Sequence, residues 1–518
     1  MTTSRNSKQR SANNGYGRIR PIESPIPADR QSAKRHYGVH PYFTRRPHNV
    51  VRQYILHYSR PGDTVLDPFG GSGVTAIEAF LENRRGVQND INPLANFIAQ
   101  GIADLSNGAV QVYGEALRTL RDICSEKIRA LYRMSKPQLE AFASRLKMPE
   151  DVVLPKTSDV RHYHELFTFR QIVALAFLRE TIDRIHNKPA CGAMLLAWSA
   201  TLAKLNRTFL SAEGRAESRG GSSIFSIYRY KIAKEPVELD PWKTFEERAL
   251  NVISAKEEID KIIEHKRRTG GFVGRFQAFS RDVEDLAEEF EGKVDYIFTD
   301  PPYGAHISYL DLSTLWNNWL GVTPNLKIRS RELIVGGELE LDEETYTKRL
   351  GRSIEACIRM LRHGRWLSVV FQHWRVSYFD AILSSAAEAG CNLRAAVPQV
   401  GDTIWSMHKK KGNESVLAGE LILSFSKADR YDERRPADRN FDVETTISKI
   451  LHAVPTNTLH GERVFSQLIV EAWNNGAIDS VHISKDDFNE LIKQHGWQYD
   501  GDHHHWVRRE DSQESLFG

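Results

Sequence analysis

An α/β doubly wound sheet, interrupted by a large, mainly helical insertion and followed by a small C-terminal module, is the fold predicted by this 518-residue sequence. Three observations predict it. Residues 63–92 read strand–helix–strand, the opening of a parallel sheet with helices on its faces. Strand signals then stop, and residues 104 to about 270 are mostly helical. They return at "KVDYIFTD" and "RWLSVVFQ".

Taken in order, residues 1–35 are Ser, Asn, Arg and Pro with little to bury, and predict a disordered basic tail. The first part of the sheet domain is expected over 36–103. "HPYFTRRPHNVVRQYILHYSRPGD" turns helical, with Val50, Tyr54 and His57-Tyr58 at helical spacing, and Pro61-Gly62 stops it. "DTVLDPF" is a short buried strand, "VTAIEAFLENR" an amphipathic helix and "RGVQNDINP" a second strand. The insertion spans 104–274, with "YHELFTFRQIVALAFLRETIDRI" and "GAMLLAWSATLAKLN" as apolar helices. The second part of the sheet domain is expected over 275–428, with "ELILSFS" as a late strand. A polar linker follows at 429–440, then a small helical or winged-helix module at 441–508 and a tail at 509–518.

Hydrophobic content of 41% and charged content of 26% are those of an ordinary soluble globular protein. No apolar run is long enough to span a membrane. "MTTSRNSKQR" has no apolar signal core, so a cytoplasmic location is expected. The four cysteines are scattered, which suits a reducing compartment and argues against zinc or disulfide frameworks. Residues 1–60 hold twelve Lys/Arg against Glu23 and Asp29, a local charge of about +10 in a chain of net +3. Such a segment is either a solvated tail or an arm that neutralises phosphates.

"LDPFGGSGVT" puts Asp67 at a strand end and Gly70, Gly71, Ser72 and Gly73 at the mouth of the next helix. Glycines there let the backbone approach a ligand, and the helix start offers free N–H groups. Asp90 closes the next strand 90−67 = 23 residues later, near the spacing at which an acid reaches a ribose hydroxyl. Together these point to a nucleoside-containing ligand. No Lys-Ser/Thr follows the turn, so a triphosphate is disfavoured. Asp67 suits a cationic ligand such as a sulfonium amino acid.

With these residues the sequence resembles S-adenosylmethionine-dependent DNA amino-methyltransferases, the adenine-specific DNA methylase family of DPPY type. "DPFGGSG" is similar to the family's cofactor motif, "DPPY" at 300–303 to its catalytic motif, and "HPYFTRRP" to the segment beside the cofactor's methionine. The resemblance covers roughly 36–100 and 275–425. "FTFRQIVAL" and "YLDLSTLWNNWL" extend it, through a bacterial group of adenine-specific methylase-like proteins, into the insertion and beyond "DPPY". It implies a Rossmann-like methyltransferase fold and S-adenosylmethionine as cofactor. Asp67, Pro68, Phe69, Gly70, Gly71 and Gly73 would line that cofactor, Asp90 would bind its ribose, and Ile91 would lie beside the adenine ring. Asp282, 300−282 = 18 residues before the catalytic acid, stands where the family places an acid near the adenine amine. Phe43 and Thr44 are nearest the methionine end. The long break between Asp90 and Asp282 departs from the simplest members.

In "IFTDPPYGAH" an acid meets a rigid Pro-Pro step and an aromatic ring. An exocyclic amine is a poor nucleophile because its lone pair is delocalised into the base. Asp300 accepting one of its hydrogens, and the Pro301 carbonyl, fixed by Pro302, accepting the other, favour the tetrahedral nitrogen. Methyl and amine must also be held in line. Tyr303 offers a face on which a flipped base stacks, and Gly304 leaves room. Asp in the first position leans toward adenine N6 rather than cytosine N4. An RNA (tRNA guanine-N2) methyltransferase and a non-catalytic DNA-binding protein with a relict cofactor site are the alternatives.

The loop from 215 to 234 mixes Arg215, Arg219, Arg229, Lys231 and Lys234 with Phe225, Tyr228 and Tyr230, the composition of a grip on phosphates and splayed bases. It is the candidate target-recognition element on double-stranded DNA; a solvated surface loop is the plain alternative. "HKKKG" at 408–412 is either a backbone-phosphate contact or a charged hairpin tip. His373 is read as structural before it is read as a base contact. His503, His504 and His505 are adjacent, which is poor metal geometry, and no metal is expected. Gln513, Leu516 and Phe517 resemble short peptides that dock on the replication sliding clamp. Restriction or phage-defence proteins are further candidate partners.

Overall fold

The computed structural model describes residues 15–16, 18–29, 35–210, 221–234, 236–304, 307–400, 419–428, 440–501 and 505–508. Arg215, Arg219, "HKKKG", most of the linker, His503, His504 and the Gln513–Phe517 tail lie outside the described residues. The chain forms two compact units: residues 29–283 with 304–342, and residues 1–28 with 284–303 and 343–518. The fold is α/β and Rossmann-like, with parallel strands in both units.

The first unit holds α1 (His48–Tyr58), β1 (Thr64–Asp67), α2 (Val74–Leu81), β2 (Arg85–Asn89) and α3 (Pro93–Asp104). β1 is buried along its whole length, as a parallel strand covered on both faces must be. Pairing is parallel from β1 to β2, with Asp67 beside Gln88, and from β2 to β3 (Arg275–Phe279). β3 is partly exposed and forms the edge. The insertion supplies α4 (Val110–Arg133), α5 (Lys136–Ala143), α6 (Phe169–Asp183), α7 (Lys188–Thr201) and the 30-residue α8 (Pro241–Gly270), which packs along α4 and α7. Thr168 and Asn187 cap α6 and α7 through Gln171 N–H and Ala190 N–H. Past the catalytic motif, α9 (Tyr309–Leu312) and α10 (Thr314–Leu320) bury against this bundle. The Tyr230 hydroxyl donates to Leu312 O at 2.6 Å and accepts from Leu315 N–H at 3.0 Å.

In the second unit β4 (Val294–Thr299) runs parallel to β5 (Leu361–Phe371). β6 (Cys391–Val400) and β7 (Gly419–Lys427) close it as an antiparallel pair, in the order β4-β5-β7-β6. α11 (Glu343–Met360) and α12 (Val376–Glu388) pack together beside them. Sequence reading missed β6, where Arg394 and Pro398 break the strand pattern. Proline is tolerated there because β6 is an edge.

The expected disordered tail is partly laid down on this unit. Tyr16 is buried, the Arg365 guanidinium sits 3.3 Å from its ring centroid, and Trp366 Nε1–H donates to Tyr16 O at 3.1 Å. Ile26 N–H donates to Gln399 Oε1 at 3.1 Å. The C-terminal module runs α13 (Val443–His452), β8 (Thr458–Leu459), α14 (Gly461–Asn474), α15 (Lys485–Gln494), β9 (Trp497–Asp500), β10 (His505–Arg508). Its three strands are antiparallel in the order β8-β10-β9, the element order of a winged helix. Among the described residues, no helix is long and apolar enough to cross a membrane.

Candidate cofactor and catalytic loops

The cofactor loop is built where β1 ends. Asp67 is buried and turned into its own loop: one oxygen accepts from Phe69 N–H at 3.1 Å and the other from the Thr75 hydroxyl at 2.8 Å. Gly70 N–H donates to Asn89 O at 2.9 Å. A Cβ at 70 would lie 2.1 Å from Gln88 Oε1, so any larger residue there must displace the Gln88 amide. At Gly73 the backbone is left-handed, φ +91°, and a Cβ would lie 2.5 Å from Ala99 Cβ.

Asp90, at the end of β2, accepts from Gly71 N–H at 2.9 Å and Asn92 N–H at 2.8 Å, one on each oxygen. Burial pushes its carboxyl up to about 6, against the pull of those two bonds. Ile91 follows it, half-buried. Asn89 stitches the loops together: its side-chain amide donates to Pro68 O and Arg281 O, each at 3.0 Å, and its oxygen accepts from Arg281 N–H at 3.1 Å. Asp67, Asp90 and Asp282 are thereby gathered at one end of three adjacent parallel strands. Asp282 is ion-paired to Arg331 at 3.0 Å.

In "HPYFTRRP", Phe43 is buried among Phe225, Tyr309 and Trp316, at centroid distances of 5.6, 5.6 and 6.3 Å. Thr44 is exposed, its hydroxyl 3.4 Å from that of Tyr309. The ring that borders the glycine turn is Tyr42, which sequence reading did not single out: a Cβ on Gly71 would lie 3.2 Å from its Cε1. Tyr42 stacks on Tyr309 at 6.4 Å. Arg45 ties the same segment to the turn through Ser72 Oγ at 2.8 Å. Asn92 was missed as well. It is fully buried, donating to Ser313 Oγ at 2.7 Å and accepting from Asn317 at 3.2 Å, so α10 is fastened to the turn after Asp90. Adjacency to Phe43 and Asp90 was the one signal for Tyr42 and Asn92.

The catalytic motif leaves β4, all six residues of which are buried. Pro301 is buried and Pro302 half-buried. The Pro302 carbonyl accepts from the Tyr346 hydroxyl at 2.5 Å, so α11 holds the Pro-Pro step from behind. Nothing local in "EETYTKRL" signals that role. The Tyr303 hydroxyl donates to Asp300 Oδ1, and its ring meets Phe371 edge-on at 5.2 Å. Gly304 has φ +68°, a conformation that favours glycine. His373 accepts from Arg375 N–H at 2.9 Å and lies 4.6 Å from the Tyr378 ring, a structural setting.

Of the loop at 215–234, Arg229 is ion-paired to Asp159, Tyr230 is buried and Lys231 is exposed.

A DNA methylase family model, of N6/N4 type, matches residues 4–100. The chain is 38% identical over 69 residues to DNA adenine methyltransferase YhdJ of Escherichia coli (strain K12), covering 13% of this chain and 22% of that one. It is 22% identical over 344 residues to Type II methyltransferase M.MjaII of Methanocaldococcus jannaschii, covering 54% and 62%. To Type II methyltransferase M.Cfr9I of Citrobacter freundii it is 40% identical over 52 residues, covering 10% and 17%. The chain thus spans less than two thirds of the length of each of these relatives. Among solved structures, an antibiotic-resistance methyltransferase, Kmr, matches at 16% identity with a TM-score of 0.18, covering 34% of this chain and 73% of that one. The glycine turn and the DPPY loop each stand at the end of a buried parallel strand, and over residues 4–100 the chain is similar to DNA methylases of N6/N4 type.

Proposed function

We propose that the chain is an S-adenosylmethionine-dependent DNA methyltransferase that modifies adenine N6 within a specific sequence of double-stranded DNA. The observation that carries this reading is the motif pair: a glycine turn followed by Asp90, and Asp300-Pro301-Pro302-Tyr303 after a buried strand. When bound, S-adenosylmethionine supplies a methyl group activated by its sulfonium.

The residues present fit that cofactor. Each Asp90 oxygen takes one backbone N–H and keeps lone pairs for a ribose hydroxyl. Asp67, with each oxygen bonded inside its own loop, shapes the turn and does not meet the cation, and Tyr42 adds an aromatic face beside Gly71 that suits a sulfonium. Asp282 would face the adenine amine and Ile91 the adenine ring.

On the catalytic side, Asp300 accepts a hydrogen bond from the target amine and the Pro301 carbonyl accepts a second. The Tyr346 bond to Pro302 keeps that carbonyl's dipeptide rigid. The nitrogen takes the methyl, with loss of the thioether as the C–S bond breaks, and one amine proton is then released through Asp300. The Tyr303 hydroxyl, on Asp300 Oδ1, orients the carboxylate; the other oxygen faces the incoming amine. Tyr303 also gives the flipped base a surface. No covalent enzyme intermediate is needed. Support for adenine comes from the acid in the first position of "DPPY" and from the adenine-specific relative.

The test offers tritiated S-adenosylmethionine to mixed-sequence duplex DNA and, separately, to transfer RNA, and then separates the labelled nucleosides. Label in N6-methyldeoxyadenosine supports the reading. Label in N4-methyldeoxycytidine corrects the base, and label in RNA alone overturns it.

A further inference from the structure

The turn at residues 224–231 is built unlike an ordinary surface loop. Both ends are pinned in the bundle: Ile224 is fully buried, and Tyr230 is buried with its hydroxyl on Leu312 O at 2.6 Å. The Ser223 hydroxyl bridges the two ends, accepting from Lys231 N–H at 3.1 Å and lying 2.9 Å from Arg229 O. Asp159 clamps the outgoing strand through Ile232 N–H at 3.1 Å and through the Arg229 guanidinium.

What this frame holds out is apolar and strained. Ile227 is 40% exposed at the tip. Tyr228, half-buried, has φ +52°, a left-handed conformation that glycine or asparagine adopts easily and a bulky aromatic does not. Such a residue persists only where its surroundings over-determine it, and these residues cluster at functional sites. Lys231 and Lys234 follow the tip, both exposed.

The turn also shares its support with the cofactor loop. Phe225 packs on Phe43 at 5.6 Å and on Trp316 at 5.8 Å, and Phe43 is next in the chain to Tyr42, the ring beside Gly71.

We propose that Ile227 and Tyr228 form a wedge that enters the duplex where the target base has left the stack. A base taken out of a helix leaves a gap whose unstacking is unfavourable, and an apolar side chain on a rigid support fills it. Lys231 and Lys234 hold the flanking phosphates. The inference rests on the DNA methyltransferase reading above.

The test uses the full chain and two duplexes. One carries the site that the unaltered protein labels in mixed-sequence DNA, and the other carries that site with an abasic residue opposite the target base. The variants are Ile227→Ala with Tyr228→Ala, and Tyr228→Asn, which tolerates the backbone and controls for folding. Both are expected to keep S-adenosylmethionine affinity. On the fully paired duplex they are expected to lose about tenfold or more in rate, and to recover to within about threefold on the abasic duplex, where opening is already easy. Equal loss on both duplexes, or no loss on either, overturns the wedge. No label in any DNA with the unaltered protein overturns the methyltransferase reading itself, and the wedge with it.

Discussion

Asp90, the acid proposed to hold the ribose, shows how burial tunes a carboxyl group. Its carboxyl is pushed up to about 6 because it is withdrawn from water, and two backbone N–H bonds only partly offset that. A ribose hydroxyl needs the ionised acceptor, so S-adenosylmethionine affinity is expected to rise as pH increases through about 6 and to level off above it. Asp90→Asn removes this pH dependence and weakens binding by about tenfold. Titration of cofactor affinity by calorimetry between these limits checks both statements. Linked stability has the opposite sense. The folded value is raised above the ordinary 3.8, so this group's stabilising contribution is complete below 3.8 and is lost as pH rises through about 6. Asp67, Asp90 and Asp300 could be placed from the sequence, because strand ends and a glycine turn mark where such acids stand, whereas Asp282 was named from the family resemblance alone. Tyr42, Asn89, Asn92 and Tyr346 were not, because each acts through a contact that no spacing encodes.

At the scale of elements, the β1–α2–β2 unit is where local sequence and tertiary packing agree. Short apolar runs and a glycine turn leave one arrangement, although α2, expected to be amphipathic, is buried on every face, Thr75 and Glu78 included. Gly86 in β2 marks how tightly it is packed: a Cβ there would lie 1.9 Å from the Ala76 carbonyl oxygen in α2, a backbone atom that cannot move aside. Gly86→Ala is expected to cost about 1–3 kcal/mol of stability and to weaken cofactor binding through the displaced helix start. Urea unfolding with and without cofactor measures it. β6 escaped sequence reading for a physical reason: an edge strand need not alternate, and it accepts Pro398. The insertion's helices were evident, but not that α9 and α10, after the catalytic loop, would bury against them.

For the molecule as a whole, two segments that resemble appendages are packed against the second unit. Residues 15–16 and 18–28 lie on it through Tyr16 and Ile26. The C-terminal module is seated on the loop after β5, where the Trp374 ring lies 4.7 Å from Phe465 and 5.2 Å from Phe488. Trp374→Ala is expected to loosen that seat, so that limited proteolysis releases residues 441–508 from a chain that still binds S-adenosylmethionine. Composition pointed to disorder at one end and to a separate module at the other, since docking depends on single aromatic residues that averages do not register.

Single-turnover methyl transfer by Asp300→Asn, at saturating S-adenosylmethionine and DNA, tests the central claim most directly. Asparagine keeps the size and one acceptor but loses the charge that draws on the target amine. The account predicts a rate at least about a hundredfold below the unaltered protein with cofactor affinity unchanged. A rate within a few-fold of the unaltered protein contradicts it.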